Sequence, residues 1–328
     1  MLNIKKYTYE LPEERIAFYP LGDREQSKLL IYREQEISES IFKNIHNFLP
    51  EGSLLVYNNT KVVRARLIFY KDTGAKIEIF CLEPSEGLSN LEKSLQQVKT
   101  VKWKCLVGNA SKWKSGILQT EIQLKGRKGK ISVKRSKPGS EYSEIEFFWT
   151  PEEITFGEIL SSFGKTPLPP YIKREDEEED KFRYQTVYAD VYGSVAAPTS
   201  GLHFTDNVID SIKSKNIEIL SLTLHIGAGT FKPISGNDIT QHQMHPEYFS
   251  VSKKIIESLI NKGNRQIIST GTTTMRTLES LHYIGLEILK GKTQENYFFI
   301  NQWTPYEQNN TKISIDEMQY HTRFGVQY

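Results

Sequence analysis

Cysteine is scarce. The 328-residue chain has two, Cys81 and Cys105, each inside a strand-like run. No CxxC or Cys/His spacing accompanies them, so a zinc site is not expected and no metal is assigned. Both thiols read as reduced and buried. Long apolar runs are missing too: none approaches the ~20 residues that span a bilayer. The N-terminal stretch MLNIKKYTYELPEERIAFYP lacks the apolar centre of a secretory signal. The expectation is a cytoplasmic protein with no membrane partner, working as a monomer. A Walker A loop is absent, and no G-x-G-x-x-G opens a helix after a strand, which argues against a P-loop or a dinucleotide site.

What is present is an ordinary globular composition, 25% charged and 38% hydrophobic, which leaves no room for long disorder. The length suggests two domains, or one domain with an insertion. The net charge of +2 hides an asymmetry. Between Val101 and Ser140 lie eleven Lys and Arg residues and a single acid, Glu121. A basic patch on an otherwise mildly acidic chain points to a polyanion. Trp103 and Trp113 are interleaved with those lysines, where an indole can stack on a base or pack a core.

Period-two alternation marks six strands at 62–70, 75–82, 101–107, 116–124, 130–135 and 143–149. Short strands at this spacing predict a small antiparallel barrel. The polar stretch 84–99 reads as a long loop with a turn of helix. From 151 onward strands and helices alternate: helices at 151–164, 175–189, 205–216, 252–263 and 272–283, and strands at 218–226 and 265–271. Another strand is expected at 53–58. The acidic run EDEEED (175–180) reads as a solvated helix start. The fold class is therefore α/β: a main domain of 1–60 and 151–328 holding an inserted basic β-barrel of 61–150.

Two blocks contain no acid and no cysteine: SVAAPTSGLHFT (194–205) and LTLHIGAGTFKPI (222–234), with Lys232 their one charge. Each sets a histidine, His203 or His225, among small residues. A neutral imidazole exchanging a proton near pH 7 suits acid/base work, although a satisfied core histidine is the plain alternative. Gly227 and Gly229 permit close backbone approach to a ligand. A third block, STGTTTMRTLES (269–280), reads strand, Gly-Thr-Thr, helix. Its free N–H groups and hydroxyls can hold an anion, or Thr273 simply caps the helix.

These blocks, with YELPEERIAFYPLGDREQSKLL (9–30), NNTKVVRARL (58–67), GAKIEIFCLE (74–83), PLPPYIKR (167–174), RYQTVYA (183–189) and HQMHPEY (242–248), closely resemble the S-adenosylmethionine:tRNA ribosyltransferase-isomerase family of queuosine synthesis. The resemblance implies an α/β domain with an inserted barrel. It also implies a reaction: the ribosyl part of S-adenosylmethionine moves onto 7-aminomethyl-7-deazaguanine in a tRNA and is isomerised to an epoxycyclopentanediol, while adenine and methionine leave. A base must take a proton from C5′ beside the sulfonium.

On that reading His203 and His225 carry the protons. Thr199, Ser200, Gly201, Gly227, Gly229, Thr230, Gly271, Thr272, Thr273 and Arg276 surround the cosubstrate S-adenosylmethionine. Arg24, Ser27, Asn58, Asn59, Thr60, Arg66, Tyr184, Gln185 and His245 are candidates for substrate or RNA contact. Lys125, Arg127, Lys128 and Lys130 belong to the basic barrel face offered to tRNA. The resemblance runs to about residue 300. The stretch FFINQWTPYEQNNTKISIDEMQYHTRFGVQY (298–328) departs from the family's Thr-Asn-Phe-His-Leu-Pro-like C-terminal block. That departure supports a second reading, a non-catalytic relative that binds S-adenosylmethionine or RNA.

Overall fold

The computed structural model describes residues 4–87, 91–124, 126–137, 139, 142–231, 242, 244–291 and 298–307. Along the N-terminal segment Pro12 leads into a single 3-10 turn, Glu13–Arg15. A hairpin follows, of β1 (Lys28–Arg33) and β2 (Glu36–Ile41). No turn motif announces it, because the reversal is made by Glu34 and Gln35, non-glycine residues at φ 53° and 69°. A 3-10 segment, Phe42–Phe48, packs Phe42 into the core. Next come β3 (Leu54–Asn58) and β4 (Thr60–Val62).

Alternation then builds the barrel-like sheet. Its strands are β5 (Arg66–Tyr70), β6 (Lys76–Pro84), β7 (Thr100–Gly108), β8 (Ile117–Leu124), β9 (Arg127–Lys137) and β10 (Ser143–Thr150), with α1 (Leu91–Leu95) after β6. The order is β5-β6-β7-β10-β9-β8, every pair antiparallel. The end strands β5 and β8 meet, so the sheet is nearly closed. Cys81 and Cys105 face each other across β6 and β7 with sulfurs 3.9 Å apart, both free and buried. Trp103 and Trp113 are 1% and 0% exposed. Of the two roles open to them, the indoles pack the barrel and offer no face to a base.

The barrel-like sheet starts at Arg66, past the expected boundary at 61, because β4 pairs instead with β11 (Val191–Ser194). The helix expected at 151–164 is α2 (Phe156–Phe163), delayed until Thr155 and Glu158 form a capping box. Its Phe156 enters the barrel core, with ring centroids 5.1–5.7 Å from Phe147, Trp103 and Trp149.

The helix expected at 175–189 shrinks to α3 (Asp180–Arg183). The reason is local: Asp180 is buried and forked onto Arg174 at 2.7 and 2.9 Å, while Asp176 accepts from Thr166 N–H at 3.0 Å. Part of the acidic run therefore tethers the chain rather than facing solvent.

The remaining elements are α4 (Asp206–Lys213, capped by Thr205), β12 (Glu218–His225), β13 (Tyr248–Ser250), α5 (Lys253–Ile260), β14 (Ile267–Ser269), α6 (Gly271–Leu289) and α7 (Thr304–Glu307). Helix α6 begins at Gly271 after Thr270, so Thr273 lies inside the first turn and is not its cap. The main sheet runs β13-β12-β3-β14. Strands β12, β3 and β14 are parallel, and β13 is an antiparallel edge. Among the described residues no helix is long and apolar enough to cross a membrane.

Candidate active site

In parallel sheets ligands bind beyond the carboxyl ends of the strands. Register fixes what lies there. Leu54 of β3 aligns with Glu218 of β12 and Ile267 of β14. The three strands therefore release Asn58–Thr60, His225–Thr230 and Gly271–Thr273 at the same edge. Each of these segments stands out in the sequence, and the sheet brings them together.

Asn58 ties two strand ends. Its amide donates to Leu224 O at 2.9 Å and accepts from Leu224 N and Thr60 N at 3.0 and 3.1 Å. Asn59 accepts from the Thr223 hydroxyl at 2.7 Å. Both side chains are thus committed to the framework of the strands. Thr60 Oγ1 lies 2.7 Å from Ser194 Oγ and 3.2 Å from His225 Nδ1, and Ser194 Oγ accepts from Ile226 N–H at 2.8 Å. This chain of hydroxyls orients the His225 ring, which is 8% exposed and stacks parallel to Tyr248 with centroids 6.2 Å apart. Burial without a nearby carboxylate pushes its pKa down to about 4. His225 is neutral at pH 7.

The ring fits because Gly193 has no side chain: a Cβ there would fall 2.5 Å from Nδ1 and Cε1. The same device recurs at Gly229, where a Cβ would fall 2.2 Å from Cγ of His245. Glycine at these places thus makes room for an imidazole, whereas at Gly229 the expectation was room for a ligand. His245 Nε2 stands 3.5 Å from Glu247 Oε1, and Arg276 Nη1 donates to Glu247 Oε2 at 2.7 Å. Arg276 therefore reaches the site through a carboxylate. Gln302 pins the preceding segment, accepting from Met244 N–H and donating to His242 O at 2.8 and 2.9 Å. A residue of the C-terminal run 298–328 thereby buttresses the site.

The 3-10 turn Thr199–Gly201 leans on the start of α6, where Ser200 Oγ lies 3.0 Å from the position a Gly271 Cβ would take. Ser200 and Thr272 are exposed at this junction, as is Thr199 beside it. His203 is half-buried against Phe42, with centroids 5.4 Å apart, and bonds the Arg24 backbone; burial lowers its pKa. His203 and His225 share no described partner. His245 lies three residues before Tyr248, which pairs with His225.

The chain matches the family described as queuosine biosynthesis protein over residues 4–315. It belongs to that family. A relative from Sulfurihydrogenibium sp. (strain YO3AOP1), named S-adenosylmethionine:tRNA ribosyltransferase-isomerase, is 37% identical over 93% of this chain and 84% of its own length. One of the same name from Thermotoga petrophila is 39% identical over 85% of this chain and 77% of its own. A solved S-adenosylmethionine tRNA ribosyltransferase from Thermotoga maritima is 26% identical, covers 84% of this chain and 72% of its own, and has a TM-score of 0.35. The curated relatives are enzymes, and so is this chain.

Several other expected contacts of this queuosine biosynthesis protein are held internally. Arg66 is forked onto Glu78 at 2.7 and 2.8 Å. Arg24 donates to the carbonyls of Gln185 and Phe182, and Ser27 to Arg24 O. Gln185 mimics a strand partner, bonding both N–H and C=O of Val62 at 2.9 Å. Tyr184 is buried and its phenol is pushed well up by burial. Each of these side chains thus has a place in the framework of the fold.

On the barrel, Arg127 meets Glu153 at 3.3 Å, while Lys128 and Lys130 are exposed with no ion pair among the described residues. Lys125 lies outside the described residues. Sequence reasoning passed over Gly193, Ser194, Glu247 and Tyr248. All four sit inside or beside the blocks that stood out, but only their partners in space reveal their use.

Proposed function

We propose that the chain moves the ribosyl group of S-adenosylmethionine onto 7-aminomethyl-7-deazaguanine in a tRNA and isomerises it, giving epoxyqueuosine-tRNA with release of adenine and methionine. The supporting observation is the convergence of Asn58–Thr60, His225–Thr230 and Gly271–Thr273 at one edge of the parallel strands. The hydroxyls of Thr199, Ser200, Thr230 and Thr272 suit a ribose, and the first turn of α6 suits a carboxylate. His225, neutral at pH 7, suits a hydrogen bond to an uncharged ring or hydroxyl. His203 enters from the Phe42 side.

The sheet from 66 to 150 acts as an inserted domain, and its Arg127, Lys128 and Lys130 end meets the RNA backbone. The test is adenine release from S-adenosylmethionine with and without a tRNA carrying the modified base. Release only in the presence of that tRNA is expected. Binding of S-adenosylmethionine with no release would replace this reading with that of a non-catalytic relative. His203→Ala and His225→Ala are each expected to bind S-adenosylmethionine but turn over more slowly, and full activity in both would remove them from the chemistry.

A further inference from the structure

The Glu247 side chain is 4% exposed, a costly place for a carboxylate. Each of its oxygens faces a different basic group: Oε2 takes the Arg276 guanidinium at 2.7 Å, and Oε1 lies 3.5 Å from His245 Nε2. That Nε2 is buried and has no hydrogen bond. Oε1 is the acceptor that faces this nitrogen, which favours the ring proton on Nε2. Nδ1 then keeps its lone pair; it lies beside Gly229 and has no hydrogen-bond partner among the described residues. A buried carboxylate that fixes one imidazole nitrogen leaves the other as an oriented base and stabilises the imidazolium that forms. Among the described residues no carboxylate meets His225 in this way.

We propose that His245 is the proton acceptor of the reaction, with Glu247 as its positioning residue and Arg276 holding Glu247 in place. The proposal rests on the transferase-isomerase reading above. In the step, the C5′–H bond of S-adenosylmethionine breaks and an N–H bond forms at His245 Nδ1. The electron pair stays on carbon beside the sulfonium. Among the described residues, the ionisable groups recorded at the ring are Glu247 on its own segment and, through Glu247, Arg276 on α6.

Two measurements test this. The first needs no turnover: the tautomer of the His245 ring is read from its nitrogen chemical shifts by NMR in the full chain, its signals assigned with His245→Asn. The proton is expected on Nε2 in the wild type and shared between both nitrogens in Glu247→Gln, which removes the charge and keeps the shape. The same tautomer distribution in both proteins overturns the positioning role.

The second is kinetic. His245→Asn is expected to lose about 10²–10⁴-fold in kcat. Glu247→Gln is expected to lose at least tenfold in kcat, with KM for S-adenosylmethionine held within twofold and the acidic limb of the pH profile moved down. Glu247→Asp, which keeps the charge, should recover part of the loss. A Glu247→Gln variant that is merely less stable, with an unmoved profile, marks a structural ion pair and overturns the proposal. Near-normal adenine release by His245→Asn also overturns it and leaves the transferase reading intact. If the wild type releases no adenine with the tRNA, the transferase reading fails and the assignment of His245 as proton acceptor fails with it, while the tautomer measurement still decides whether Glu247 positions His245.

Discussion

The barrel-like sheet fills its interior with Trp103, Trp113, Phe147 and Phe156, whereas the strand-end cluster fills its own with imidazoles laid against glycines. In the barrel the side chains supply the volume. In the cluster the missing side chains do. The two regions should therefore fail under opposite substitutions, the barrel when atoms are removed and the cluster when one is added. Phe156→Ala empties a site ringed by Trp103, Phe147 and Trp149 and should cost about 3–5 kcal/mol in a urea melt. A cost under ~1 kcal/mol would mean that the barrel collapses freely and that the contrast is false.

His225 supplies the next effect. Its folded pKa, about 4, lies below the ordinary 6.5 because the ring is buried. The unfolded chain therefore binds a proton that the folded chain refuses. The contribution is complete above pH 6.5, shrinks as pH falls, and is gone near pH 4. Its ceiling is about 3 kcal/mol. His225→Asn should remove that part of the pH dependence, read as the difference between urea melts at pH 7 and pH 4.5. Parallel stability curves for the two proteins would show a ring far wetter than its surroundings imply.

Adding one carbon to the cluster comes third. Gly229→Ala puts a Cβ 2.2 Å from His245 Cγ, and Gly193→Ala puts one 2.5 Å from the His225 ring. Each should cost about 1–3 kcal/mol of stability. The loss at Gly229 is expected to vanish in a His245→Ala background, because the two changes share one contact. If it persists there, Gly229 serves the backbone or a ligand rather than the ring.

The same contrast explains what the sequence could show. All six barrel strands were legible because alternation writes burial directly into residue order. Thr205 and Gly164 marked helix ends for local reasons, since caps are short-range features. In the cluster the small-residue blocks located the right strand ends, but the pairing of rings did not follow. His203 and His225 stand in matching contexts in the sequence and share no partner among the described residues. His245 and Glu247 lie together in the HQMHPEY block, but nothing in residue order shows that they converge with Gly229 and Arg276. Which side chain a glycine admits is a long-range fact. The same holds for Arg66, whose partner Glu78 sits on the next strand, and for Asp180, whose pairing with Arg174 delays the start of the helix that its acidic neighbours suggest.

The outer face of the barrel carries the smallest effect and the finest division of the comparison. Packing decides the inside, whereas only unpaired charge matters outside. Arg127 already meets Glu153, while Lys128 and Lys130 have no ion pair among the described residues. Removing one cation that neutralises a phosphate should flatten the salt dependence of tRNA binding by about 0.7–0.9 in log–log slope. Lys128→Ala and Lys130→Ala should each show that change, and together about twice it. Arg127→Ala should show less, since its charge is partly spent on Glu153 and removing it frees a carboxylate to repel phosphate at short range only. Stability should stay within about 0.5 kcal/mol in all three, because exposed side chains contribute little to it. A salt slope unmoved in the double lysine variant would take the RNA away from this end of the barrel, and the charge excess there would then be a solvated face.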